Sequence, residues 1–77
     1  MRIEYSKEAD ALYIYFKEEY VAKSKEIVDG IVLDFDKKGQ LIGIEILDVS
    51  QRFSLSDIAN ISIENIPIEP ESTQISV

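Results

Sequence analysis

The sequence contains no cysteine, no histidine and no tryptophan, and only one methionine, two prolines and three glycines. Without cysteine there is no disulfide to stabilise a small core. Without cysteine or histidine a zinc site has lost its usual ligands, and carboxylates alone favour hard, oxygen-liganded ions. The same absences remove the thiol and imidazole from which nucleophile–base pairs are most often built. No apolar run approaches the roughly 20 residues that span a bilayer as a helix. The chain opens on Arg2-Ile3-Glu4-Tyr5 with no apolar stretch of the signal-peptide kind, so together with the missing cysteine a cytoplasmic location is expected.

Positive charge is also scarce. Eight Lys and Arg face fifteen Asp and Glu, giving a formal net charge of −7. A nucleic-acid binder needs a basic footprint to displace counterions from phosphate, and this balance has the wrong sign. Anionic membrane surfaces are disfavoured for the same reason. A partner selected by charge is basic, although solubility alone also accounts for an acidic surface.

What the sequence does have is alternation. Apolar and polar residues alternate from Ile3 to Leu47, the period of β-strands. Arg2–Tyr5, Ala11–Phe16, Tyr20–Val28, Ile31–Asp36 and Leu41–Leu47 are the expected strands, separated by short polar turns. Asp29-Gly30 between two of them is a type I′ hairpin signal. A turn centred on Lys38-Gly39 pairs Phe35 with Ile42, Leu33 with Ile44 and Ile31 with Ile46, all on one face. The Asp29-Gly30 turn pairs Lys25 with Asp34 and Lys23 with Asp36 on the other, as opposite charges across strands. That register turns Glu26 toward the apolar face beside Leu33, which calls for a bulge, an edge position or a bonding partner.

After Leu47 the alternation stops. Ser54-Leu55-Ser56-Asp57 has the form of an N-cap with an acid in the first turn, so a short helix is expected from about Leu55 to Asn60. Pro67 and Pro70 exclude a central strand there. The expected fold is mainly β (α+β): a five-stranded antiparallel meander with one short C-terminal helix, forming a domain over residues 1–64, and an extended acidic tail over 65–77.

The string Ile3-Glu4-Tyr5, Glu8-Ala9-Asp10-Ala11-Leu12-Tyr13-Ile14, Asp29-Gly30-Ile31-Val32-Leu33-Asp34-Phe35-Asp36, Gly39 and Ile42-Gly43-Ile44-Glu45-Ile46-Leu47-Asp48 resembles the small prokaryotic family known as domain of unknown function 2283. The resemblance covers about the first fifty residues and stops short of Phe53. It implies no established activity and no catalytic residues; some members are suggested to be antitoxin-like partners of small toxins.

Chemistry is sparse. Asp34 and Asp36 share a strand face, and Val32 stands opposite Glu45. Asp34 and Asp36 with Glu45 or Glu26 are the candidate oxygen ligands, Asp10, Glu26, Asp48 and the tyrosines are the candidates for acid–base work, and a carboxylate-based metal-binding protein or enzyme is the alternative reading. Glu26 is the one acid this register buries, and so the candidate for a shifted pKa. Gly39 and Gly43 have neither the spacing nor the following helix of a phosphate loop; Gly43 inside a strand implies a bulge or a close backbone approach. No catalytic, cofactor or metal site is assigned.

Surface carries more information. Ile3, Tyr5, Leu12, Ile14, Phe16, Leu33, Phe35, Ile42, Ile44 and Ile46 form one apolar face. The other, expected to be polar, holds Tyr13, Tyr15, Val21, Ile27, Val32, Leu41 and Leu47. Tyr13, Tyr15, Val21, Val32, Leu41 and Leu47 are therefore the expected interaction residues. The sequence reads as a protein-binding or self-associating module, a homodimer or an antitoxin-like partner of a basic protein, with Ile66, Ile68, Ile75 and Val77 of the tail available to pack on a partner.

Overall fold

Five strands form where the sequence alternates: β1 (Arg2–Ser6), β2 (Ala11–Tyr15), β3 (Lys23–Val28), β4 (Ile31–Phe35) and β5 (Leu41–Leu47). Two short helices come after them, α1 (Val49–Arg52) and α2 (Leu55–Ala59). The structure, a computed structural model, describes residues 1–67. The expected tail over 65–77, with Ile68, Ile75 and Val77, lies outside the described residues from position 68 onward.

All neighbouring strands are antiparallel and the domain is mainly β, as expected. Their order, however, is β1-β2-β5-β4-β3, so the sheet is not a simple meander. A β1–β2 hairpin and a β3-β4-β5 meander join through β2 and β5. Composition gives the reason. Pairing Ala-Leu-Tyr-Ile-Tyr with Leu-Ile-Gly-Ile-Glu-Ile-Leu puts the apolar strands β2, β5 and β4 inside the sheet. The polar Lys-Ser-Lys-Glu-Ile-Val of β3 then becomes an edge strand exposed along its whole length.

Two rows of apolar side chains cross four strands on one face. Ile3, Ile14, Ile44 and Leu33 make one, and Tyr5, Leu12, Ile46 and Ile31 the other. The expected pairs Leu33–Ile44 and Ile31–Ile46 are present, but Phe35 stands opposite Leu41 because the register shifts after Asp34. Gly43 sits beside that bulge, and the Ile14 carbonyl lies only 3.0 Å from where its Cβ would stand. Both causes expected for this glycine therefore act together.

The β3–β4 register also differs by one residue from expectation. Lys25 stands opposite Leu33, Ser24 opposite Asp34 and Lys23 opposite Phe35, so neither expected Lys–Asp pair forms. Among the non-glycine residues, Asp29 does not take positive φ, whereas Gly30 does (84°), so the turn is not type I′. A bulge between Glu26 and Val28 accommodates the mismatch in twist and moves Glu26 to the opposite face, level with Val32. There its Oε2 accepts from the Gly30 amide at 2.9 Å.

Beyond β5 the sheet is closed by side chains. The α1 helix is not among the expected elements, since four residues give no periodicity to read. Its Val49 is fully buried, and its Arg52 donates to the carbonyls of Leu47 and Asp29, each at 2.8 Å. Ser54 and Asp57 form the expected cap in full. The Ser54 hydroxyl accepts from the Asp57 amide and the Asp57 carboxylate accepts from the Ser54 amide, both at 3.2 Å. Among the described residues the buried apolar core is small: Ala11, Leu12, Ile42 and Val49.

Candidate interaction surfaces and a carboxyl pair

Strand pairing carries two rows across the second face of the sheet. One reads Arg2, Tyr15, Gly43, Asp34, Ser24, and the other Glu4, Tyr13, Glu45, Val32, Glu26. Tyr13, Tyr15, Val32 and, beside Ala11, Leu47 are thereby brought to one face, all half-buried. Val21 lies outside the strands in the β2–β3 connection, and Leu41 sits beyond the bulge; both are exposed. Tyr13 and Tyr15 stack at 6.3 Å, and the Arg2 guanidinium lies 4.2 Å from the Tyr15 ring. Arg2 also pairs with Glu18 (2.9 Å) and Glu4 (3.3 Å). Much of this face is therefore covered by its own side chains.

The acids separate into distinct settings. Asp34 is buried and accepts from the Ser24 hydroxyl at 2.6 Å. Its carboxylate lies over Gly43, whose missing side chain leaves the space. Glu45 is the diagonal neighbour of Asp34, and its carboxyl is pushed up to about 7. Burial is the main cause, then a hydrogen bond to Asp34 and the Asp34 charge, so the protonated form is favoured. Asp36 points instead into the β4–β5 turn, where it accepts from the amides of Gln40 and Lys38, both at 2.9 Å. The Gln40 amide, with Lys38 and Lys17 nearby, holds its carboxyl below the usual range. Asp10 is bound to Ser50 at the start of α1, and Asp48 takes a left-handed conformation at the N-cap of that helix with no capping side chain. Among the described residues no three acidic side chains converge as metal ligands.

The first face is different. Ile3, Leu12, Ile14 and Ile46 floor a groove of about 300 Å³ walled by Phe53, Ile58 and Ile61, with Asp57 at its rim. Phe53 (47 %) and Ile61 (56 %) stay open to solvent, and so does Leu55 on α2. A five-residue helix covers part of the β1, β2 and β5 rows only.

Residues 2–50 match the family model described as protein of unknown function (DUF2283). The chain belongs to that family. The match ends within α1, so α2 and the residues after it lie outside the matched part of this DUF2283 protein. An uncharacterized protein of Methanocaldococcus jannaschii is 40% identical over 55 residues, which cover 71% of this chain and 47% of the relative. A Methanosarcina mazei protein provisionally named a hypoxanthine phosphoribosyltransferase is 34% identical over 76 residues, 96% of this chain and 61% of that one. This DUF2283 chain thus spans about half to three-fifths of the curated relatives it matches. No solved structure matches it. Among the described residues no helix is long and apolar enough to cross a membrane.

Sequence reasoning puts the shifted acid at Glu26, whereas the structure puts it at Glu45. The bulge at Ile27 takes Glu26 off the apolar face, and nothing in the local sequence marks it; Glu45 owes its setting to burial beside Asp34. The signal for Glu45 is nevertheless present: a glycine two residues before it in the same strand, opposite an aspartate.

Proposed function

We propose that this protein is a protein-binding module that works through the apolar sheet face α2 leaves open. The observation that carries the reading is the groove over Ile3, Leu12, Ile14 and Ile46, bounded by half-exposed Phe53 and Ile61, where the buried core among the described residues is so small. Apolar surface of this kind is stabilised by association. The expected Tyr13–Tyr15 face is the lesser contributor, because Arg2 already lies over Tyr15. A partner other than a second copy is basic, given the net charge of −7. The transferase name of the Methanosarcina mazei relative finds no support in these residues: Gly30 and Gly39 lie in hairpin turns and Gly43 in a strand, and none leads into a helix as a phosphate cradle does.

Light scattering tests the reading on the full chain, alone and mixed with the product of a neighbouring gene. The expected result is a dimer or a complex at micromolar concentration, weakened by Phe53→Ser with Leu55→Ser while circular dichroism is unchanged. A chain that stays monomeric and binds nothing, or complexes indifferent to both substitutions, would overturn it.

A further inference from the structure

The positive charges of this acidic protein are not spread evenly. Lys17, Lys23, Lys25, Lys37 and Lys38, five of the eight cationic residues, surround two adjoining grooves that share Asp36 and Lys37. The larger, about 440 Å³, has the Phe35 ring among Lys23, Lys25 and Lys37, with Asp36 as its acid. Among the described residues both ion pairs belong to Arg2, so these lysines enter none. The opposite imbalance lies at the other end of the sequence. After Arg52 there is no Lys or Arg, while Asp57, Glu64, Glu69 and Glu71 are all acidic. Among these acids, Ile61, Ile63 and Ile66 remain 56 %, 54 % and 51 % exposed.

We infer that the Ile61–Ile66 strip of one copy docks along the lysine-rimmed groove over Phe35 of a second copy, and the second copy's strip reciprocally in the first. This rests on the reading that the protein is a protein-binding module, and it adds a second surface, the β3–β4 groove, to the groove beside α2 that Ile61 lines. An apolar strip carrying Glu64, with no cation anywhere after Arg52, fits an apolar floor carrying amines, in both chemistry and sign. The occupant is a second copy because the strip does not reach the groove in its own chain. Ile61 lies against β1, β2 and β5, the groove lies at β3 and β4, and no residue from Ile61 to Pro67 lines it. Reciprocal exchange is closed by one two-fold axis and covers both strips and both grooves. Direct β3–β3 pairing is the poorer dimer. Same-face antiparallel registers centred on Lys25 or Glu26 set like charges opposite each other, one centred on Ser24 sets Lys23 against Lys25, and the bulge at Ile27 distorts the edge.

The absence of cysteine makes the test unambiguous. Full-length chains carrying Lys25→Cys and Ile63→Cys singly are mixed and oxidised, a double-cysteine variant carrying both is oxidised alone, and sedimentation measures the dimer constant of Lys25→Glu with and without Glu64→Lys. The expected results are a disulfide between the two single variants, dimerisation weakened about tenfold by Lys25→Glu, and recovery when Glu64→Lys is added. A disulfide formed only within one chain of the double-cysteine variant would overturn the exchange. So would a strict monomer, or a dimer insensitive to both charge reversals. If such a chain still binds a basic partner in a manner sensitive to Phe53→Ser, the module reading stands and this inference alone fails.

Discussion

The Asp10 carboxylate accepts from Ser50 twice, from its amide at 3.0 Å and from its hydroxyl at 2.7 Å. The Asp10 carbonyl accepts from the Val49 amide at 3.0 Å, so one left-handed loop residue (φ 50°) satisfies the start of α1 from forty positions away. Tyr5 adds its hydroxyl to the same carboxylate at 3.3 Å. The bonds from Ser50 hold the Asp10 carboxyl below its usual range, and burial with the Asp10 charge pushes the Tyr5 phenol up. Ser50→Ala is expected to cost about 0.5–1.5 kcal/mol in urea denaturation at neutral pH.

The same clamp gives an acid limb to stability. A carboxylate whose folded pKa is depressed contributes above its unfolded value, here 3.8, and loses that contribution as pH falls through the lower folded value. Asp36, held by the Gln40 amide, acts in the same direction. Melting temperature of the parent chain should therefore fall below pH 4, and Asp10→Asn should flatten that fall. An unchanged acid limb would show that Asp10 is not the group responsible.

Glu45 acts in the opposite sense. Its folded pKa of about 7 exceeds the ordinary 4.5, so its contribution is complete below 4.5 and is lost as pH rises through 7. Glu45→Gln should raise the melting temperature at pH 8 and leave it nearly unchanged at pH 4. Carbon-detected NMR titration of the Glu45 carboxyl checks the value directly.

Gly30 and Arg52 depend on each other. Gly30 is buried at φ 84°, and a Cβ there would collide with the Arg52 guanidinium. Gly30→Ala is expected to cost about 1–2 kcal/mol from backbone strain alone. Displacing Arg52 from the Leu47 and Asp29 carbonyls adds to this, so the double variant with Arg52→Ala should be less destabilised than the two single effects summed.

Ile42 is 2 % exposed, at the bulge where β5 meets β2 and β4. Ile42→Ala should cost about 2–5 kcal/mol, most of the stability available to a chain this short. Loss of the cooperative thermal transition near room temperature is the expected readout.

The strands were legible because a period of two over Ile3–Leu47 admits few other readings, and the Leu33–Ile44 and Ile31–Ile46 pairs came from one turn. The α2 cap was legible because Ser54 and Asp57 satisfy each other within three residues. Phe35, Lys25 and Glu26 were displaced because a bulge costs one residue of register and leaves no mark in the local pattern. The α1 helix is held by contacts from distant residues, through Asp10 and Arg52, and so left no local pattern to read.

Alternation thus determined by itself a mainly antiparallel sheet and the face each strand residue takes away from the bulges. Tertiary structure alone decided that β2 joins β5, that a bulge takes Glu26 off the apolar face, and that lysines gather around Phe35. Each of these depends on residues far apart in the chain, and pairing between strands is chosen by which arrangement buries the most apolar surface, a sum that no local window contains.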